Sequence, residues 1–213
     1  MSRALPAPRS RPKENARRAR EETYRRLILE AAERSFAEKG FDDARIEEIA
    51  AGSGLSLGTL YSVFAGKPDV MRAVHETRNR EILARSAAAA AEAPDPVEGL
   101  LAAVGASVDF FVGHPDYLRI HLRGGHAWGL AGAGGRSRSQ AHAWEEGIDL
   151  YAGIFERGIA EGAFHPGSPR LLARMAIAMQ QVQLADWVEQ GMRQTQDELV
   201  ADVHARLRRS FCR

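Results

Sequence analysis

Ile46-Glu47-Glu48-Ile49-Ala50-Ala51-Gly52-Ser53-Gly54-Leu55-Ser56-Leu57-Gly58-Thr59-Leu60-Tyr61-Ser62-Val63-Phe64 is the stretch whose reading decides the fold. Ile46, Ile49 and Ala50 share one face of a short helix over about 46–52. The Gly52-Ser53-Gly54-Leu55 run breaks it, and Gly54 can take the positive φ of a tight turn. Ser56 is a good N-cap for a second short helix reaching about Phe64. Ala50 is small where the two helices must cross closely, and Ile49, Leu55 and Leu60 supply a shared apolar seam. Ser56, Leu57, Gly58, Thr59 and Ser62 then face outward, small or polar enough for close approach to a duplex. Two short helices joined by a glycine-containing turn are a helix-turn-helix, whose second helix enters the DNA major groove. The same pattern also fits a plain αα-corner in a helical core.

Upstream, Tyr24, Leu27, Ile28, Ala31, Ala32 and Phe36 recur at helical spacing from about residue 22, and Gly40 stops that helix. Residues 1–20 carry three prolines and seven basic residues (Arg3, Arg9, Arg11, Lys13, Arg17, Arg18, Arg20) against one acid, Glu14. Residues 1–21 are therefore expected to be a basic arm, disordered at least in its first part. Residues 1–67 hold 13 Lys/Arg and 10 Asp/Glu, the remainder 16 and 18, so a net of +1 conceals a basic front on a slightly acidic body. That division suits a polyanion at one end only.

Downstream the whole pattern is helical, with no period-2 alternation. Helices are predicted at about 68–92, 97–113, 116–123, 137–162, 169–190 and 195–211. Residues 124–135 contain six glycines and are expected to form a mobile lid or a disordered connection. The fold class is thus all-α, with an N-terminal helix-turn-helix domain over 22–67, continuing into the fourth helix to about 84. A larger helical domain over 68–213 follows.

From Leu27 to Lys67 the chain resembles the TetR-family DNA-binding domain. The resemblance rests on Ile28-Leu29-Glu30-Ala31-Ala32 leading to Phe36-Ala37-Glu38-Lys39-Gly40-Phe41. Ile49-Ala50, Gly54-Leu55-Ser56, Gly58-Thr59-Leu60-Tyr61, Phe64 and Lys67 then follow without a gap. It implies phosphate contacts from Thr59, Tyr61 and Lys67, and a capping role for Ser56, with the helix amides facing the phosphate backbone. Leu57, Gly58 and Arg45 would meet base edges. Three positions depart from the family. Ala44-Arg45 replaces the usual Thr followed by Thr or Ser, losing a hydroxyl cap and gaining a side chain able to bond guanine O6 and N7. Leu57 stands where a polar or basic residue is usual, and Val63 where His is common. These departures bear on operator sequence, not on DNA binding itself.

The resemblance further implies a C-terminal domain that dimerises and often holds an inducer. Phe110, Phe111, Tyr117, His121, Trp128, Trp144, Tyr151, Phe155 and Met179 are candidate ligand contacts for a mainly apolar effector, with core packing the competing explanation for any one of them. Two stripes are expected to pack against their copies in a homodimer: Leu171, Leu172, Met175, Ala176, Met179, Val182 and Gln183, and then Leu199, Val200, Val203, Leu207 and Phe211. The alternative is that both face only the subunit's own core.

Other classes find little support. His121 and His126 are five apart, not the i, i+4 of a helical metal pair, so no metal is expected. No nucleophile–base pair or Gly-rich cofactor loop is legible, so neither an enzyme nor a cofactor is expected. The one cysteine, Cys212, excludes an internal disulfide framework. With no apolar N-terminal leader and no window read as long and apolar enough to span a membrane, the expected location is cytoplasmic. The expected partners are double-stranded operator DNA, a second copy of the chain and a small-molecule effector.

Overall fold

A computed structural model describes residues 12–123 and 138–213. Among these, nine helices follow in chain order: α1 Pro12–Asp43, α2 Ile46–Gly52, α3 Leu57–Val63, α4 Lys67–Glu92, α5 Pro96–Gly113, α6 Pro115–Arg123, α7 Arg138–Ala160, α8 Pro169–Glu189 and α9 Gln196–Phe211. The all-α expectation holds. Trp128, His126 and the glycine-rich connection lie outside the described residues.

The first helix begins ten residues before the apolar pattern does. Periodicity detects a helix only through the face it buries, and the side chains over 14–23 are all exposed. What stabilises this solvated stretch is composition: Glu, Ala and Arg are strong helix formers, and Arg18 bonds Glu14 one turn back at 3.3 Å. Part of the arm assigned to 1–21 is therefore helix. Gly40 (φ 79, ψ 174) interrupts α1 near its end, and Phe41 to Asp43 resume it.

Two compact units divide the chain between Met71 and Arg72, within the fourth helix. The first turn of α4 belongs with the N-terminal unit because its polar groups are used there. The Asp69 carboxylate accepts from the Ala65 amide at 3.0 Å, and Lys67 bonds carbonyls at the end of α1. Ile28, Ala32, Phe36, Ile49, Ala50, Leu60, Phe64 and Val70 form this unit's core.

In the C-terminal unit α5 is central, packed against α6, α7, α8 and α9. Its 18 residues have a mean hydropathy of 1.4, which by length and composition is enough to cross a membrane. This corrects the expectation that no window is so apolar. Eleven of its residues are buried, which a core helix contacted by several neighbours requires. Asp95 caps it, accepting from the amides of Val97 and Glu98 at 2.8 and 2.9 Å.

The stripes on α8 and α9 divide differently from expectation. Leu199, Val203, Leu207 and Phe211 are buried within the subunit against α5 and α8, so the α9 stripe faces its own core. On α8, Ala176 is also buried, whereas Leu171, Met175 and Val182 are exposed. A 3.6-residue period marks an apolar face and cannot say whose core it joins.

One close approach closes the unit. The Phe164 ring lies over Gly158, where a Cβ would stand 2.3 Å from Phe164 Cδ2 and 3.0 Å from Pro96 Cβ. Phe164 cannot swing aside, because its ring packs on Phe155 at 5.0 Å and its backbone pairs with the C-terminal end. There the His165 amide donates to Phe211 O (2.9 Å) and the Arg213 amide to Ala163 O (3.1 Å). Overpacking costs about 1–3 kcal/mol, while replacing a helical glycine by alanine recovers at most about 1. Gly158→Ala should therefore lower the thermal midpoint by several degrees; a variant melting at or above wild type would show that the ring can move.

Candidate DNA interface and effector cavity

Local geometry fixes how α3 is presented. The α2 helix ends where the Ser53 hydroxyl donates to Ala50 O at 2.7 Å, and Gly54 (φ 71) turns the chain in a region L side chains rarely adopt. The Leu55 amide then returns to Ala50 O at 3.2 Å. Ser56 caps α3: its Oγ accepts the Thr59 amide at 3.1 Å and lies 2.8 Å from the Thr59 hydroxyl. Leu60 and Phe64 turn into the core, where the Arg25 guanidinium sits 4.9 Å from the Phe64 ring centre.

With Leu60 inward, the opposite face of α3 is set. Leu57 is 37 % exposed and Tyr61 50 %, large apolar surfaces on a seven-residue helix, with Gly58 and Ser62 exposed beside them. Thr59 is half-buried, and the Ser62 hydroxyl donates to Thr59 O at 2.6 Å. No charged residue occurs from 52 to 66, so the face carries no carboxylate to repel a polyanion. Arg45 is exposed at the N-cap of α2 and makes no side-chain cap bond there. Beside it the Glu48 carboxyl is held below its ordinary pKa, first by its hydrogen bond from Lys39 at 2.8 Å. That acid is thus paired within the protein.

Lys67 is held by backbone carbonyls. Its ammonium donates to Asp42 O at 3.0 Å and Ala44 O at 2.9 Å, and lies 4.7 Å from the Phe41 ring centre. It ties the end of α1 to the start of α4, a structural use that its position in the sequence does not disclose. An ammonium has three donors.

The C-terminal unit holds a cavity of about 120 Å³ that opens to solvent at a mouth, smaller than the roughly 300–1,000 Å³ usual for small-molecule sites. Phe111, Tyr117, His121, Trp144 and Tyr151 line it. Phe110 does not; it is buried, stacked on His114 at 4.2 Å with the Arg85 guanidinium 5.2 Å from its ring centre. Phe155 belongs to an aromatic cluster with Phe164 and Phe211, and the half-buried Met179 is not among the lining residues.

Sequence reasoning missed the polar lining: His75, Asn79, Ser86, Ser107, Gln180 and Gln181. The signal was present, since His75, Asn79, Ile82, Leu83 and Ser86 follow helical spacing on α4. A search for apolar faces passes over a mixed one. These groups are mostly paired. Tyr117 donates to Asn79 Oδ1 at 3.1 Å and lies 3.3 Å from His75 Nδ1; Gln180 Nε2 donates to Ser107 Oγ at 2.7 Å; Ser86 donates to Ala103 O at 3.0 Å. Burial pushes the Tyr151 hydroxyl up to about 12, opposed by its bond with Ser86, so it stays neutral at physiological pH.

Comparison with known proteins bears on the N-terminal unit and on the fold of the whole chain. Residues 28–74 match the family model of the bacterial regulatory proteins, tetR family. No curated protein matches the chain. Among solved structures, a TetR family transcription regulator from Marinobacter aquaeolei superposes with a TM-score of 0.75 at 22 % identity, covering 92 % of this chain and 98 % of that one. The regulator FadR from Bacillus subtilis, in complex with stearoyl-CoA, gives 0.73 at 19 %, covering 85 % and 96 %. The ketosteroid transcriptional regulator KstR2 of Mycobacterium tuberculosis gives 0.70 at 21 %, covering 89 % and 96 %.

Proposed function

We propose, from the match of residues 28–74 to the family model of the bacterial regulatory proteins, tetR family, that this chain is a cytoplasmic, homodimeric repressor of that family, released from a near-palindromic operator by a small, mainly apolar effector. The observation that carries the DNA half is the exposed, acid-free outer face of α3. Leu57 and Gly58 meet base edges there, with Arg45 reaching them from the start of α2. Thr59, Tyr61 and Ser62 contact the phosphate backbone, and Ser56 holds the helix start. Lys67 uses two donors to fix the α1–α4 corner and offers its third to a phosphate. Phosphate contacts set register and base contacts set sequence choice.

Dimerisation is supported by the unpartnered apolar stripe of Leu171, Met175 and Val182 on α8. A two-fold dimer places two recognition helices about 34–36 Å apart, one turn of B-DNA. The effector half is supported by the cavity, and two fold neighbours are named for a fatty acyl thioester complex and for ketosteroid regulation. The α4 helix is one uninterrupted element: its first turn carries Lys67, and its later turns line the cavity. An effector that binds better to one tilt of this helix shifts the spacing of the two reading heads; equal affinity for both tilts would shift nothing.

The test is a footprint of the purified protein on DNA flanking its own gene, with light scattering of the same sample. The expected result is a protected near-palindrome bound by a dimer, and loss of protection on adding an apolar effector. A monomer at micromolar concentration with undiminished specific binding would overturn the dimer. Protection of no sequence in preference to others would overturn the regulator.

A further inference from the structure

Resting on the reading of the C-terminal cavity as an effector site, the chemistry of its wall narrows the ligand. Gln181 lines the cavity and is only 4 % exposed, yet its Oε1 has no hydrogen-bond donor among the described residues. Its Nε2 lies 3.4 Å from His121 Nε2. Turning the amide over does not help, because one imidazole nitrogen can meet only one end of it. Folded proteins leave few buried polar atoms unpaired, and those they leave call for an explanation.

Neighbouring polar groups cannot answer the same need. The Gln180 amide is spent on Ser107, the Ser86 hydroxyl on Ala103 O and the Tyr117 hydroxyl on Asn79. None of the fifteen described residues lining the cavity is Asp, Glu, Lys or Arg. A charged ligand would lose its hydration there and meet no counter-ion beyond the imidazoles of His75 and His121, which already bond Tyr117 and Gln181, a cost that disfavours unpaired charge in such a site. The remaining wall is aromatic: Phe111 and Tyr117 lie parallel, 1° apart in plane with centroids at 6.0 Å, and Trp144 also lines the space.

We infer that the effector is an uncharged ring compound bearing a hydroxyl, and that the hydroxyl docks on Gln181. A hydroxyl both donates and accepts, so it satisfies the amide in either orientation. Gln181 is then the residue that distinguishes an alcohol from the parent hydrocarbon and from the corresponding acid.

The experiment titrates the full-length protein calorimetrically with 2-naphthol, naphthalene and 2-naphthoate, then repeats the series on Gln181→Leu and Gln181→Met. In wild type, 2-naphthol should bind about 10-fold or more tighter than either analogue, because a buried group built to hydrogen-bond discriminates strongly against a partner lacking the bond. Both variants should lose that preference and bind naphthalene at least as well as wild type does. They should also melt within a few degrees of wild type, since losing the long contact with His121 is offset by removing a buried carbonyl oxygen that has no donor. Tightest binding of 2-naphthoate overturns the uncharged ligand. Equal binding of all three, or an alcohol preference that survives both substitutions, overturns the role of Gln181 and leaves the effector site standing. Failure of all three to bind overturns both this inference and the effector reading of the cavity.

Discussion

Gly58→Asp should abolish operator binding, with affinity down at least about 100-fold, while leaving the fold as stable as before. Gly58 is exposed on the outer face of α3, and a Cβ there meets nothing nearer than Ser56 Oγ at 3.8 Å. It is the second residue after the Ser56 cap, where an acidic side chain interacts favourably with the helix dipole by about 0.3–1 kcal/mol. Aspartate is also a better helix former than glycine, by a few tenths of a kcal/mol. On the DNA side the sign reverses. The new carboxylate stands in a stretch that otherwise holds no charge from 52 to 66, against the phosphates and acceptor-rich base edges of the groove. Like-charge juxtaposition at an interface costs several kcal/mol, and about 2.7 kcal/mol is already 100-fold. Anisotropy titration of the footprinted fragment gives the affinity, and a melting curve on the same preparation gives the stability. A variant that keeps wild-type affinity would mean that this face of α3 does not meet DNA.

The second large effect is on stability. Phe155→Ala should cost about 3–5 kcal/mol, the range for removing a buried phenyl ring. Phe155 is fully buried, with Phe164 at 5.0 Å and Phe211 at 5.1 Å between ring centres. The three rings close the end of the unit where α7, the loop after it and the C-terminal end meet, so little can relax into the void. At roughly 2–4 °C per kcal/mol for a chain of this size, the thermal midpoint should fall by roughly 6–20 °C. Effector affinity, measured below that midpoint, should change less than about 3-fold, because Phe155 is not among the cavity-lining residues. A small loss of stability with a large loss of effector response would return Phe155 to the ligand site and falsify its assignment to the core.

How legible was this molecule in its sequence? The helix-turn-helix was legible almost residue by residue. Gly54, the Ser56 cap and the Ile49, Ala50 and Leu60 seam act over three to six residues, a range that local rules of chain geometry cover. The later helices agree with expectation to within one or two residues for the same reason: Pro, Gly and capping residues punctuate them locally. The start of α1 was missed because a solvated helix buries no face to read.

The cavity was legible only in part, and that part was its aromatic density. Phe110 and Phe111 are adjacent in sequence, yet Phe111 lines the cavity and Phe110 stacks on His114. No periodicity separates them from each other's roles, because the outcome depends on which helix lies opposite.

By itself, then, the sequence determined the all-α class, the helix-turn-helix and the boundaries of the helices after α1, all consequences of contacts between residues near in the chain. Only the tertiary structure decided that the α9 stripe is spent on α5, that Lys67 bonds carbonyls at Asp42 and Ala44, and that Gln180 meets Ser107. The partners in these last two contacts are 23, 25 and 73 residues apart. Distant segments meet according to how whole helices pack, and a residue's nearest sequence neighbours carry no record of it.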